Sequence, residues 1–323
     1  MFDVVTIGET MLRLSPDAFL RWEQAERLQI HIGGSESNTA VGLARLGLRA
    51  CWVSRLTDNE FGRRISQTIA AQGVDTQFVQ WTQEDRVGTY FYEEASPPRE
   101  SRVIYDRKGS AFTRFSSAQL PKALFVQGQS KYLHITGISL AVGETTREMI
   151  FAAVALAKQA GWRISFDVNY RSKLWSISDA RHVCESLINE ADIVFIPRRD
   201  AVLLCDRSEA EDPRNVLSYL SKRRNGKLTI LSMGSKGAAA QADDDYFYEA
   251  VTPVPPVGRL GGGDAFSAGF LYGYLTEMEI AKGLKWATAA AAVKYSITGD
   301  LPLFHRAEVR ALVTRNQPNS DFR

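Results

Sequence analysis

The chain has 323 residues, 45% of them hydrophobic, enough for a sizeable core in one large domain or two modest ones. Its 39 lysines and arginines nearly balance 37 aspartates and glutamates, so charge gives no case for nucleic acid or a membrane surface and points to a small-molecule partner. The three cysteines, Cys51, Cys184 and Cys205, are widely spaced and show no zinc-site pattern, so they read as reduced thiols of a cytoplasmic protein.

The opening "MFDVVTIGETMLRLS" lacks a basic segment ahead of an apolar core. No run approaches the roughly 18–20 apolar residues of a membrane span, so a soluble, unexported protein is expected. "DVVTIG" (3–8) is a short β-branched run closed by glycine, the pattern of a buried strand. "MLRLS" and "ERLQIHIGG" follow as further strand-like runs. "SNTAVGLARLG" predicts a helix with a polar start and a stop at Gly47. "ACWVSRL" then reads as a strand, and "NEFGRRISQTIAAQG" as a helix ending at Gly73. Between about Gln77 and Arg114, "VGTYFYEE" and "SRVIYDRK" alternate around a polar tip holding Pro97 and Pro98, which predicts an antiparallel insertion.

Beyond it, "KYLHITG", "TREMIFAAVALAKQAG", "WRISFDVN", "ADIVFI" and "GKLTILSMG" alternate short apolar strands with helices. That rhythm predicts an α/β fold in three layers, a mostly parallel sheet with helices on both faces. The antiparallel runs, about 11–32 and 77–114, are expected to form a small β lid on a single domain. Asp243 to Asp245 read as a solvated hairpin tip, because successive residues there diverge. His31, His134, His182 and His305 have no ligand spacing and no paired nucleophile. The tail "NQPNSDFR" is expected to fray.

The stretch "RLGGGDAFSAGF" (259–270) carries the chemistry. Three glycines suit a loop whose backbone approaches a ligand closely, and the helix-like run after them offers unpaired N–H groups to an anion. A Walker loop would need Gly-Lys-Ser/Thr here, and a dinucleotide loop another glycine at Phe266. Two readings stay open on these residues alone. Either Asp264 takes the proton of an attacking hydroxyl in a phosphoryl-transfer site, or it caps a tight turn.

A second cluster, "IHIGGSESNTAVGLARLG" (30–47), also runs from Gly-Gly into a helix, with Asn38 available to a polar ligand. Together the two clusters resemble the ribokinase-like family of ATP-dependent carbohydrate kinases, over nearly the whole chain from "DVVTIGE" to "ITGD". The resemblance implies that Asp264 is the catalytic base and that Gly261, Gly262 and Gly263 form the anion hole. "IYDRKGSA" and "FDVNYRSKLW" are similar to the segments that hold an acidic sugar in 2-keto-3-deoxygluconate kinases. By that resemblance Tyr105, Arg107 and Arg171 clamp the sugar acid, with Gly34, Asn38, Tyr90 and Asp300 as further contacts; arginine suits a carboxylate because its donors form a planar fork. "SMGSKGA" resembles the nucleotide loop, making Ser232, Gly234, Ser235 and Gly237 candidate ATP contacts, with Thr288 on a later helix. A plain strand-to-strand turn would look the same.

The family's Asn-x-x-Glu element reads Pro197-Arg198-Arg199-Asp200 here, leaving Asp200 as the candidate Mg2+ contact, through water. Gly258 and Leu260 replace residues that relatives use around a monovalent cation, so little K+ dependence is expected. The implied activity is phosphorylation of a sugar-acid hydroxyl by Mg2+-ATP, with 2-keto-3-deoxygluconate going to its 6-phosphate. The rivals are a fructokinase or another sugar or nucleoside kinase of the same fold, and a sensor that keeps the fold with weak catalysis. Relatives often pair through their lids, so a homodimer or higher homo-oligomer is expected.

Overall fold

A computed structural model of the protein describes residues 1–314; the tail expected to fray lies outside the described residues. The strands are β1 (Phe2–Ile7), β2 (Met11–Ser15), β3 (Gln29–Gly33), β4 (Ala50–Val53), β5 (Arg55–Thr57), β6 (Gln80–Thr82) and β7 (Thr89–Glu93). They continue with β8 (Arg102–Asp106), β9 (Ser130–Thr136), β10 (Arg163–Asp167), β11 (Ile193–Pro197), β12 (Leu228–Ser232), β13 (Ala238–Ala242) and β14 (Asp245–Glu249). The helices are α1 (Ser35–Leu46), α2 (Glu60–Ala70), α3 (Gly137–Ala141), α4 (Glu144–Gln159) and α5 (Ile177–Glu190). The remaining five are α6 (Arg198–Cys205), α7 (Pro213–Arg223), α8 (Gly262–Glu277), α9 (Ile280–Tyr295) and α10 (Arg306–Thr314).

The apolar runs form one eight-stranded sheet in the order β14-β13-β12-β11-β10-β9-β1-β4. The strands from β12 to β4 are parallel, and β13 and β14 add an antiparallel edge. One core layer packs α4, α5 and α7 on one face of this sheet; a second packs α1, α8 and α9 on the other. This is the expected three-layer fold. Strand order reverses between β1 and β9, and in open parallel sheets the crevice at such a point, beyond the carboxyl ends, is where ligands bind.

Local chemistry sets the element ends. The Asn59 side chain accepts from Phe61 N and Gly62 N to start α2, while Gly47, at φ 107°, closes α1. The predicted helix ending at Gly73 stops at Ala70, and Gly73 turns the chain afterwards. The predicted strand "ACWVSRL" divides at Ser54, whose hydroxyl donates to the Gly8 carbonyl at 2.8 Å. After that break β5 leaves the main sheet and pairs with β6.

The expected antiparallel runs form two antiparallel pairs, β3-β2 and β7-β8, joined by parallel pairing of β2 with β7 into a four-stranded sheet, β3-β2-β7-β8. Its register sets His31, Arg13, Tyr90 and Tyr105 in one row and Ile30, Leu14, Phe91 and Ile104 in the next. Adjacent rows face opposite sides. Tyr90 is buried, whereas Ile104 is 54% exposed, so the first row faces the body and the second faces solvent. Among the described residues, no helix is long and apolar enough to cross a membrane.

Candidate active site

The glycine loop enters α8 through Gly261, whose φ of 73° is left-handed and whose added Cβ would lie 2.0 Å from the Asp300 carbonyl oxygen. Only glycine meets both demands. A Cβ on Gly262 would strike the Tyr295 ring at 2.5 Å, while one on Gly263 would meet nothing within 4 Å. Gly263 therefore borders open space. The first N–H groups of α8 have no helical partner and point out of the positive end of the helix dipole.

Asp264 lies in the first turn of α8, yet it does not cap that helix: Gly261 holds the N-cap position, and no side-chain cap bond is made. Of the two readings left open by the sequence, the turn cap is the one the geometry removes. The carboxylate instead faces α1, accepting from Ser35 Oγ at 2.6 Å and from Asn38 Nδ2 at 2.7 Å. Asn169 Nδ2 in turn donates to Ser35 Oγ at 2.9 Å. Burial pushes the Asp264 carboxyl above its ordinary pKa, against the pull of these two hydrogen bonds. The result is a fixed, desolvated and comparatively basic carboxylate at a helix N-terminus.

Gly34 is the N-cap of α1, and a Cβ there would lie 2.1 Å from the Glu9 carbonyl oxygen, so α1 approaches the β1–β2 turn more closely than any side chain allows. The end of β10 and the loop after it bring Asp167 and Asn169 to the same crevice. A cavity of about 270 Å³ is bounded by Asp167, Asn169, Arg171, Gly263, Asp264 and Ser267. Burial, reinforced by Asp264 and Asp200, raises the Asp167 carboxyl to about 8.

The candidate sugar-acid residues separate into two groups. Arg171 is half-buried and lines both this cavity and a neighbouring one of about 350 Å³ that it shares with Val103, Tyr105 and Tyr170. Its charge opposes the rise at both Asp167 and Asp264. Among the described residues its guanidinium makes no hydrogen bond or ion pair. Arg107 differs, because its guanidinium is buried against Glu9, with Nε 2.9 Å from Oε2 and Nη2 on the same oxygen. The Ser110 hydroxyl also donates to Glu9.

Tyr90 donates to Asp300 Oδ1, and its ring centroid is 6.0 Å from that of Tyr105. Arg13 Nε lies 2.9 Å from Asp300 Oδ2, but neither atom has an aligned hydrogen-bond partner, so this contact is an ion pair without a directed bond. Burial raises the Asp300 carboxyl, and Arg13, Tyr90 and Lys294 oppose it. A Cβ on Gly33 would meet Asp300 Oδ1 and Tyr90 Oη, both at 2.5 Å. Asp300 thus joins the inner face of the small sheet to the glycine loop.

At the candidate nucleotide loop, Ser232 and Gly234 border a cavity of about 390 Å³ with Pro197, Arg199 and Lys236. Ser235 is exposed in the same turn, whereas Gly237, at φ 91°, turns the chain into antiparallel β13. The loop is therefore a strand-to-strand turn that also lines a cavity. Thr288 does not line this cavity, and its hydroxyl donates to the Leu284 and Lys285 carbonyls within α9. Asp200 is buried in the first turn of α6, where its carboxylate accepts from Tyr170 N at 3.1 Å and its pKa is raised by burial. Among the described residues no group of three or more His, Cys, Asp or Glu could cage a metal.

Sequence reading missed Glu9, Arg13, Ser35, Asp167, Asn169 and Lys294. Asp167 and Asn169 stand at the end of the run that flagged Arg171, and their place at a parallel strand's carboxyl end was a usable signal. Ser35 likewise follows the first Gly-Gly pair. Lys294, in an alanine-rich helix, carried none.

The family model for pfkB family carbohydrate kinases matches residues 1–301. A Haloferax volcanii protein named 2-dehydro-3-deoxygalactonokinase is 36% identical over 96% of each chain. A Clostridium botulinum 5-dehydro-2-deoxygluconokinase is 28% identical over 93% of this chain and 90% of its own. The crystal structure of 2-dehydro-3-deoxygluconokinase from Thermotoga maritima superposes with a TM-score of 0.89 at 26% identity, covering 97% of this chain and 99% of that one. With its fold in agreement with these matches, the chain belongs to the pfkB family of carbohydrate kinases.

Proposed function

We propose that the protein transfers the terminal phosphoryl group of ATP to a hydroxyl of a 2-keto-3-deoxy sugar acid, with 2-keto-3-deoxygluconate as the first candidate. The observation that carries the acid preference is Arg171, a half-buried cation that lines both central cavities and has no protein partner among the described residues. Its planar donors suit a carboxylate, and a neutral sugar would leave them without an anion. Two keto-deoxy sugar-acid kinases among the relatives support the same class. Arg107, held by Glu9, serves to build the wall that presents Tyr105.

In this reading the substrate hydroxyl approaches Asp264. As its oxygen bonds to the terminal phosphorus and the bond to the ADP oxygen breaks, its proton passes to the Asp264 carboxylate. Ser35 and Asn38 fix that carboxylate, and Asn169 fixes Ser35. The free N–H groups at the start of α8 face the charge on the moving phosphoryl group. Asp167, buried on the cavity wall beside Asp264 and with Asp200 behind it, fits a divalent cation, which would relieve the charge that these carboxylates bring together. When bound, Mg2+ spreads the phosphate charge and keeps several of its own waters, so Asp200 would act through water.

The four-stranded sheet is the lid of a single domain, with Tyr90 and Tyr105 over the sugar. Three unpaired cysteines, of which Cys51 and Cys184 are buried, support a cytoplasmic location. The deciding experiment measures kcat/KM with Mg2+-ATP on 2-keto-3-deoxygluconate, its galactonate epimer, 5-dehydro-2-deoxygluconate, fructose, ribose and adenosine. Preference for the keto-deoxy acids is expected. Preference for fructose, ribose or adenosine would overturn the acid assignment, and turnover of nothing, with ATP bound, would favour a sensor.

A further inference from the structure

Beneath the glycine loop lies a buried cation that the phosphoryl-transfer chemistry does not use. Lys294, in the last turn of α9, has no solvent exposure. A lysine so placed is costly unless its ammonium is well partnered. Its Nζ donates to the carbonyl oxygens of Ile297 at 3.0 Å and Gly299 at 2.9 Å. Burial, with Arg13, lowers its pKa to about 8, against Asp300 and Asp264, which favour its charge.

The stem of Lys294 is part of the wedge that confines Gly261. A Cβ on that glycine would lie 3.2 Å from Lys294 Cε, on top of the 2.0 Å approach to the Asp300 carbonyl oxygen. From the other side, Val257 N donates to the Tyr295 carbonyl at 2.8 Å. The segment leading into the glycine loop is thus clasped between the end of α9 and the 297–300 turn. The ammonium holds that turn by two of its carbonyls. An apolar residue could fill the same space, but it would leave both carbonyls unpaired.

We propose that Lys294 is a positioning residue, a tethered monovalent cation that organises the 297–300 turn and so holds Gly261 and the free N–H groups of α8 where the transferred phosphoryl group binds. An ammonium among carbonyl oxygens matches a dissolved ammonium or potassium ion in charge and approximate size, so the protein carries its own. The inference rests on the kinase reading above.

The test compares wild type, Lys294→Ala and Lys294→Met in K+, ammonium and tetramethylammonium at constant ionic strength. It reads kcat, KM, melting temperature and the affinity for a non-hydrolysable ATP analogue. Wild type should be indifferent to the cation. Lys294→Ala should lose roughly ten- to hundred-fold in kcat, the worth of a charge-assisted hydrogen bond, with little change in sugar KM. Analogue affinity should fall with it. Ammonium or K+ should restore both, and tetramethylammonium, too large for the gap, should restore neither. Lys294→Met keeps the stem, so it should lose activity without rescue.

Wild-type kcat in either variant would overturn the proposal. So would a folded Lys294→Ala that no cation restores, or strong K+ stimulation of wild type. Should both variants fail to fold, the wild-type series decides: indifference supports the proposal and stimulation overturns it. A wild type that phosphorylates no sugar would sink the kinase reading, while the analogue titration would still judge Lys294.

Discussion

Replacing Asp264 by Asn separates chemistry from architecture at this site. The carboxylate accepts two hydrogen bonds, from Ser35 at 2.6 Å and Asn38 at 2.7 Å. An Asn there can still accept from Ser35. Its amide N–H would meet Asn38, whose own Oδ1 is buried without a partner, so a flip of the Asn38 amide restores the second bond in the opposite sense. The substitution also removes a charge that burial disfavours. The net stability change should therefore stay within about 1 kcal/mol, the worth of one ordinary hydrogen bond. Catalysis should respond very differently, because the amide cannot take a proton. A positioned base is worth about 10²- to 10⁴-fold, or roughly 3–5 kcal/mol of barrier. The assay is kcat on the best substrate of the panel, with thermal melting and ATP-analogue titration on the same sample. Retention of more than about a tenth of wild-type kcat, with the fold intact, would refute the base assignment.

The two arginines should part company. Arg171→Ala should raise KM for a sugar acid roughly ten- to hundred-fold and leave the melting temperature near wild type, since it has no protein partner to strand. Arg107→Ala strands buried Glu9 and should cost about 3–5 kcal/mol in chemical denaturation; equal melting of the two variants would contradict the distinction. Glu36, buried where Ser139 and Thr136 donate to it, has its carboxyl raised to about 7 by burial. Its contribution to stability is full below the unfolded value near 4.5, is lost as pH rises through 7, and leaves a cost of up to about 3 kcal/mol beyond. Glu36→Gln should therefore melt above wild type at pH 8 with the gap closing toward pH 5, and a gap independent of pH would count against it. The solvent-facing row Ile30, Leu14, Phe91 and Ile104 should bury itself in a homodimer, so light scattering should find a dimer that Ile104→Glu splits; a wild-type monomer would end this reading.

What the sequence made legible was whatever depends on local pattern. Alternating apolar runs and helices yielded the three-layer sheet, and the two Gly-Gly segments marked both helix starts that meet at the site. Contacts between distant segments were not legible. Arg107 and Arg171 look alike in sequence, yet only the fold shows that Glu9, 98 positions away, occupies the first and leaves the second free. The strand run at 50–56 divided because Ser54 bonds to Gly8, a partner no local pattern announces. For Asp264 a cap stayed open beside the base because Asp is often a cap, and only the position of α1 reveals that its carboxylate faces elsewhere.

The spacing of α1 and α8 explains why that carboxylate can be held so closely. Gly42 lies one helical turn beyond Asn38, and Ala268 one turn beyond Asp264, so the two pairs are stacked along the same interface. A Cβ on Gly42 would come within 2.7 Å of the Ala268 Cβ, closer than side chains approach, so the helices are separated by about the least distance that glycine and alanine permit. A short amide from α1 can reach an Asp on α8 only at such a distance. The small residues in "AFSAGF" and "AVGLA" are therefore part of the catalytic argument as well as the packing one. Bulk at either contact would draw Asn38 and the Asp264 carboxylate apart. The carboxylate proposed as the base is fixed by interhelical distance, and that distance is written in the smallest side chains of the two helices.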